Sequence, residues 1–330
     1  MSIQSGNSND LDPSDINRQN PVTARLRGGQ ELTESVGDDQ DAKLPPIETS
    51  DKVTLYSAKS EIRYPLKLLS GIFANFWNGR ELAWQLFLRN VRGLYRQTLL
   101  GWFWAFLPPI ANTAIWIFLR EAQIFDTGEM SVNSTVYILS GMILWQAFIE
   151  AFQMPLNMLN KNRNMISKLN FPRESLLLVG VGEVIFDLLI RLLLLIPAFL
   201  IFGVAFEPSM LLAPISILGL ILLGTALGLL VMPVGSLYQD VGRFIGMALP
   251  FWMILTPIIY VPFETYPGAL LNWLNPASPL LLLSRDWLLL GGSEHLTAGL
   301  IFGAVTIPIV LIGLIVFRVS IPVLVERMNA

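Results

Sequence analysis

Apolar residues in this chain of 330 residues are gathered into long runs that follow a polar first stretch. Six of these runs approach or exceed the length of about 20 apolar residues that a helix needs to cross a bilayer. They occupy residues 99–119, 134–157, 176–202, 210–237, 244–262 and 296–317. The pattern predicts an all-α polytopic membrane domain over residues 99–330, with six transmembrane helices.

Two shorter apolar runs lie between the fifth and the sixth predicted spans, at residues 268–274 and 279–291. Both are too short to cross a bilayer, and proline, glycine and asparagine interrupt them. Irregular backbone at membrane depth occurs where it is buried in protein or lines a cavity. We therefore predict re-entrant half-helices in this region.

The segment that precedes the first span has an amphipathic helical pattern over residues 81–98. One stripe carries the apolar residues Trp84, Phe87, Leu88, Val91, Leu94 and Tyr95. The opposite stripe carries Arg89, Arg92 and Arg96. Such a helix suits the cytoplasmic membrane interface, where arginine meets lipid phosphates. We predict an amphipathic interface helix within residues 67–98, acting either as a generic anchor or as a gate that meets an anionic substrate head group.

The first 66 residues are polar and nearly free of aromatic side chains. Residues 1–63 hold seven Lys or Arg against eleven Asp or Glu. A segment of this composition cannot bury enough apolar surface to offset its ordering entropy. Residues 1–66 are therefore predicted to be a disordered polar tail in the cytoplasm.

Overall composition supports a membrane location, since 53% of residues are hydrophobic, 14% are charged and the mean hydropathy is +0.56. Twelve Lys and Arg residues of the region after residue 63 fall on one predicted side of the spans, whereas the other side has only Arg120 and Arg285. Lys and Arg concentrate in cytoplasmic loops. The distribution predicts a multi-pass protein of the cytoplasmic membrane with both termini in the cytoplasm.

Ionisable residues inside the predicted spans are Glu150, Glu183, Asp187 and Arg191. The last three recur at intervals of four residues, so they share one broad helix face. Charged groups within a membrane are costly and require partners or water. The spacing allows either a structural Asp187–Arg191 pair or a lining for an aqueous route.

The basic loop of residues 160–174 contains two apolar residues, Leu169 and Phe171, followed by Pro172. One interpretation is a loop that only sets the topology. The other is a short helix that docks into a partner's groove, where an apolar side chain with a charged rim provides the binding energy.

Catalytic signatures are absent from the sequence, which has no glycine-rich phosphate loop, no nucleophile elbow and no zinc-ligand spacing. Cysteine is absent as well, and His295 is the one histidine, so no metal site is predicted. The chain is expected to be a non-catalytic subunit, and ATP, if it drives the protein, would bind another chain.

Four segments resemble, in order, the signatures of ABC permeases that export polysaccharides such as O-antigen, capsule and teichoic acid. They are RNVRGLYRQTLLGWFWAFLPPI (89–110), KLNFPRE (168–174), QDVGRFIGMALPFWMILTPIIY (239–260) and NPASPLLLLSRDWLLLG (275–291). Asn90 stands where that family usually has Asp, and Gln239 stands where Arg is common. The polar tail is longer than in typical members.

The resemblance implies a homodimer with one conduit, flanked by two ATPase chains that bind ATP and Mg²⁺. It implies an undecaprenyl-pyrophosphate-linked glycan as cargo, membrane lipid as a further partner and no nucleic acid. Arg89, Arg92 and Arg96 would contact the pyrophosphate. Coupling to the ATPase would use Lys168, Leu169, Phe171, Pro172 and Arg173. The glycan conduit would be lined by Trp102, Phe106, Phe251, Trp252 and Tyr260.

Other functions remain open from the residues themselves. A permease of the same fold could move a drug or a lipid. An ion-coupled carrier could use Glu150, Glu183, Asp187 and Arg191 as a relay, and it would transport without a nucleotide-binding partner. A membrane-embedded glycan enzyme is disfavoured, because no acid–base or metal constellation is present.

Overall fold

A computed structural model of the chain describes residues 65–94, 103–124, 128, 130, 132–168, 171–263, 265–266, 268–292 and 294–329. Of the predicted tail, residues 1–64 lie outside these ranges. All regular structure within them is helical, in agreement with the all-α prediction, and these ranges contain no strand.

The helices, in chain order, are α1 (Pro65–Leu94), α2 (Phe103–Glu121), α3 (Ser134–Lys161), α4 (Arg163–Lys168), α5 (Glu174–Leu192), α6 (Leu195–Phe202), α7 (Ala213–Leu237), α8 (Gln239–Leu255), α9 (Gly268–Leu274), α10 (Ala277–Arg285) and α11 (Leu296–Asn329). A short 3₁₀ turn, Pro208–Leu211, precedes α7, and a π-helical turn, Asp286–Leu290, continues α10.

Helix α3 forms the centre of the subunit and packs most extensively against α7. About 78% of its apolar stretch is buried, against 22% for α11. Two glycines of the sequence GTALG in α7 permit this close approach. A Cβ atom on Gly224 would lie 2.8 Å from the backbone oxygen of Phe148, and one on Gly228 would collide with the backbone oxygen of Phe152. Small residues four positions apart are a common device for close helix packing in membranes.

Helices α5 and α6 form one apolar stretch that is interrupted at Leu193 and Leu194. Pro197 explains the interruption, because a proline has no amide hydrogen and its ring conflicts with the carbonyl group four residues earlier, that of Leu193. The stretch ends at Gly203, whose φ of 66° is left-handed and closes the helix.

Four stretches of the described chain are long and apolar enough to cross a membrane: α3, Glu174–Phe202, α7 and Leu296–Arg327. They correspond to the second, third, fourth and sixth predicted spans. Helix α2, at the first predicted span, contains Pro108 and Pro109, and residues 99–102 lie outside the described ranges. Helix α8, at the fifth, has 17 residues. The crossing of the bilayer by α2 and α8, and hence the count of six, stays a prediction.

Helices α9 and α10 lie where short half-helices were predicted, and every residue of α10 is buried. Arg285 anchors this segment: it is 1% exposed and donates hydrogen bonds of 2.9 Å to the carbonyl oxygens of Pro257 and Ile258. Its guanidinium lies 3.8 Å from the ring centre of Tyr137 on α3. The re-entrant placement of these helices in the bilayer stays a prediction, as does the cytoplasmic location of both termini.

Candidate functional site

Helix α1 packs on the rest of the subunit through a stripe of mostly small or aliphatic side chains, Ile72, Gly79, Ala83 and Leu86. It begins earlier than the amphipathic pattern of residues 81–98. Trp84, predicted on the apolar face, is 58% exposed at the subunit surface. Arg89 and Arg92 are exposed, as the pattern indicates, and Arg96 lies outside the described residues.

Two asparagines of α1 bind two glutamates of α5. The Asn75 amide donates to Glu174 at 3.1 Å, and the Asn90 amide donates to Glu183 at 2.6 Å. The two contacts occur in the same order along both helices, so α1 and α5 advance in the same direction. Asn90 is one of the two positions, with Gln239, that depart from the signatures which the sequence resembles, and its amide supplies a hydrogen-bond donor to a carboxylate.

A cavity of about 270 Å³ lies between α1, α3 and α5. Its lining includes Asn90, Glu150, Gln153, Asn157, Lys161, Glu183 and Asp187. Three of the four ionisable residues predicted inside the spans therefore line one cavity. The Lys161 ammonium lies 3.9 Å from the Glu183 carboxylate.

The fourth ionisable residue, Arg191, binds Glu150 through two parallel hydrogen bonds of 2.7 Å and 2.6 Å. Gln146 also donates to Glu150, at 3.3 Å. A bidentate guanidinium–carboxylate pair is the strong form of this interaction. This bond joins α3 to α5, and the pair that the sequence spacing suggested within one helix, Asp187 with Arg191, stays a prediction. Whether the cavity serves as an aqueous route stays a prediction.

The predicted coupling segment leads directly into α5. Phe171 packs against the hydrophobic core, and Pro172 and Arg173 are half-buried. Glu174, 5% exposed, lies 3.7 Å from Arg318 of α11 and accepts the hydrogen bond from Asn75 of α1. The segment thus contacts both α1 and α11 through one carboxylate. Leu169 and the side chain of Lys168 lie outside the described residues.

The predicted conduit aromatics fall into two groups, and Trp102 lies outside the described residues. Phe251 is 70% exposed on α8, and Phe106 of α2 is half-buried. Trp252 donates its indole N–H to Asn275 at 2.9 Å and meets the Phe148 ring edge-on. Tyr260 is buried and donates its hydroxyl to the carbonyl oxygen of Ile254. Trp252 therefore connects α8 to its neighbours, Tyr260 binds back to α8 from the segment that follows it, and a conduit role for both stays a prediction.

Three interactions of this region were missed in the sequence: Asn75–Glu174, Asn90–Glu183 and Arg191–Glu150. Their partners are 99, 93 and 41 residues apart, beyond the reach of helical periodicity. The one available signal was Asn90 itself, a neutral residue in place of the usual acid. No group of three or more His, Asp or Glu residues within the described ranges could hold a metal ion.

Comparison with known proteins shows that most of the residues described above match the model of one protein family. The model of the ABC-2 type transporter family matches residues 81–285, from the second half of α1 to the end of α10. The O-antigen export system permease protein RfbA of Myxococcus xanthus is 22% identical over 210 residues, which cover 61% of this chain and 78% of that protein. Permease proteins of the same name from Klebsiella pneumoniae are 20% and 21% identical over 200 residues, covering 60% of this chain and 75% of theirs.

Proposed function

This chain belongs to the ABC-2 type transporter family, and we propose that it is the permease subunit of an ATP-driven exporter of a lipid-linked polysaccharide. Family membership makes it a multi-pass transport subunit of the cytoplasmic membrane. The observation that carries the polysaccharide assignment is its similarity to three proteins named as O-antigen export permeases. The cargo would be a glycan of O-antigen, capsule or teichoic-acid type, linked to undecaprenyl pyrophosphate.

An ABC ATPase is the partner that this family generally implies. We propose two copies of it, each binding ATP and Mg²⁺, on a homodimer of this chain, which itself binds neither. Residues 168–173 would dock into the ATPase. The burial of Glu174 between Asn75 and Arg318 supports this proposal, because a displacement of the segment would reach α1 and α11 together.

Arg89, Arg92 and Arg96 are proposed to contact the pyrophosphate, since the planar guanidinium group can donate two hydrogen bonds at once. Arg89 and Arg92 are exposed, and the Arg89 guanidinium donates to the amide oxygen of Asn90 at 3.3 Å. The pyrophosphate would thus approach α1 next to the cavity at Glu183. Past this point, Phe106 and Phe251 are proposed to line the conduit.

The experiment is a reconstitution of this chain with its ATPase in vesicles, in which ATP hydrolysis and glycan export are measured. Undecaprenyl-pyrophosphate-linked glycan should stimulate hydrolysis, and replacing all three arginines by lysine should lower export although charge is conserved. Leu169→Asp should abolish the stimulation while membrane insertion remains normal. Stimulation by a drug or a phospholipid alone would favour the alternative cargo, and export without ATP would favour an ion-coupled carrier.

A further inference from the structure

A second depression between α1 and α5 differs from the polar cavity, because its lining is almost wholly apolar. It has a volume of about 340 Å³. Its lining includes Arg80, Trp84, Phe87, Gly182, Phe186 and Leu189. Among the described residues that line this groove, Arg80 is the one charged side chain. The α1–α5 groove therefore combines a hydrocarbon-like floor with a single cation.

Aromatic rings give the groove its shape. Phe87 stacks on Trp84 with a centroid distance of 5.5 Å and meets Phe186 edge-on at 6.0 Å. Gly182 leaves room for these rings, since a Cβ atom there would lie 3.3 Å from Cδ2 of Phe87. Trp84 and Leu189 are 58% and 57% exposed, so the groove opens to the surroundings of the subunit.

The groove has a definite polarity along α5. Because α1 and α5 advance in the same direction, Arg80 lies towards the beginning of α5, where Gly79 meets Ser175. Leu189 lies farther along α5, about 16 Å beyond Leu178 at the helical rise of about 1.5 Å per residue. The Lys and Arg distribution predicts that α5 begins on the cytoplasmic side. The cation then lies at the cytoplasmic end and the apolar floor extends towards the middle of the bilayer.

We propose that the α1–α5 groove binds an anionic phospholipid of the cytoplasmic leaflet. Its phosphate would lie at Arg80, and an acyl chain would follow Trp84, Phe87 and Leu189. The Arg80 guanidinium lies 4.2 Å from the ring centre of Trp77, a cation–π contact that holds the group at the surface. A lipid in this position wedges between α1 and α5 and supports the contact that the two asparagine–glutamate bonds also maintain.

A membrane phospholipid fits this groove better than the proposed cargo carrier does. A pyrophosphate has more charge than one arginine can match. Arg89 is nine residues from Arg80, which at about 100° per residue places it on the opposite side of α1. Arg89 and the arginine of the groove therefore face opposite directions, and the lipid site holds for any cargo.

The test is a titration of the delipidated full-length protein in detergent with phosphatidylglycerol, with bound lipid counted by native mass spectrometry. Arg80→Gln should raise the apparent Kd for phosphatidylglycerol about fivefold, since one basic residue near an anionic lipid surface contributes about that factor in affinity. Arg243→Gln is the matched control, because Arg243 is exposed on α8 and lies outside the groove, and it should bind as the unaltered protein does.

A second pair of variants tests the floor of the groove. Gly182→Leu should fill it and lower occupancy, whereas Gly93→Leu, a position with no atom within 4 Å of an added Cβ, should not. Equal losses in Arg80→Gln and Arg243→Gln, or no loss in Arg80→Gln, would overturn the proposal whether or not Gly182→Leu folds. Displacement of phosphatidylglycerol by undecaprenyl phosphate, with the same dependence on Arg80, would assign the groove to the carrier. The titration needs neither ATPase nor glycan, so its failure leaves the proposed function intact.

Discussion

Asn90 and Glu183 illustrate what one side-chain amide does at the boundary between α1 and α5. The amide donates to the carboxylate at 2.6 Å, and Lys161 lies 3.9 Å from the same carboxylate. An aspartate at position 90, the residue usual in the polysaccharide exporters, would bring two carboxylates together. The neutral residue instead gives the Glu183 carboxylate a hydrogen-bond donor, and this bond holds α1 against α5.

Asn90→Asp is accordingly expected to weaken the attachment of α1. The cost should be about 1–3 kcal/mol, the range for leaving a partly buried polar group without its partner. The double variant Asn90→Asp with Glu183→Gln should recover most of the loss, because the glutamine amide can donate to the new carboxylate. Thermal unfolding of the purified proteins measures both. A double variant less stable than the single one would contradict this account.

Arg191 and Glu150 offer a second prediction at the same scale. Arg191→Gln leaves the Glu150 carboxylate without its bidentate partner. The Glu150 side chain is 24% exposed, so water can replace that partner only in part. Breaking a buried ion pair from one side costs about 3–5 kcal/mol, whereas replacing both members is often nearly neutral. Arg191→Gln should therefore unfold at a lower temperature than the double variant with Glu150→Gln. Identical unfolding temperatures for the single and the double variant would show that the pair has no structural role.

Among the described helices, the contact between α3 and α7 leaves no room for added volume at Gly228. Gly228→Ala should disrupt it, because the new methyl group would collide with the backbone of α3, which cannot yield as a flexible side chain does. Gly246→Ala on α8, where nothing lies within 4 Å, is the matched control and should be tolerated. Gel filtration after detergent extraction reports the folded fraction. A well-folded Gly228→Ala protein would show that α7 can move away from α3.

Four spans could be predicted from the sequence because each is a long apolar run that needs no knowledge of its neighbours. The same reasoning gave the positions of α9 and α10, where proline and glycine end short runs. It could not give Arg191–Glu150 or Asn90–Glu183, since such pairs depend on how the helices are arranged around α3. It also treated Leu169 and Phe171 alike, although Phe171 packs against the chain's own core, so that a substitution at Phe171 would disturb the fold as well as any docking.

For the whole molecule, the sharpest prediction concerns sidedness. The chain contains no cysteine, so a single introduced cysteine reports its own position. Ser293→Cys should react with an impermeant maleimide in intact cells, or in spheroplasts where an outer membrane intervenes. Asn162→Cys, at the end of α3, should react only after permeabilisation. The opposite pattern of labelling would reverse the topology, and with it the side on which the ATPase is expected to dock.

The shortness of α8 has a consequence for the membrane itself. Its 17 residues span about 25 Å at the helical rise, against a hydrocarbon core of about 30 Å. If α8 crosses as predicted, local thinning of the bilayer is one way to relieve this hydrophobic mismatch, at a cost of fractions of a kcal/mol per Å; snorkelling of flanking side chains and oligomerisation are the others. Where thinning occurs, the bilayer beside the exposed ring of Phe251 is thinner than elsewhere. A thinner hydrocarbon core shortens the distance over which a polar head group must travel without water. The barrier to translocation of the head group beside α8 is then lower.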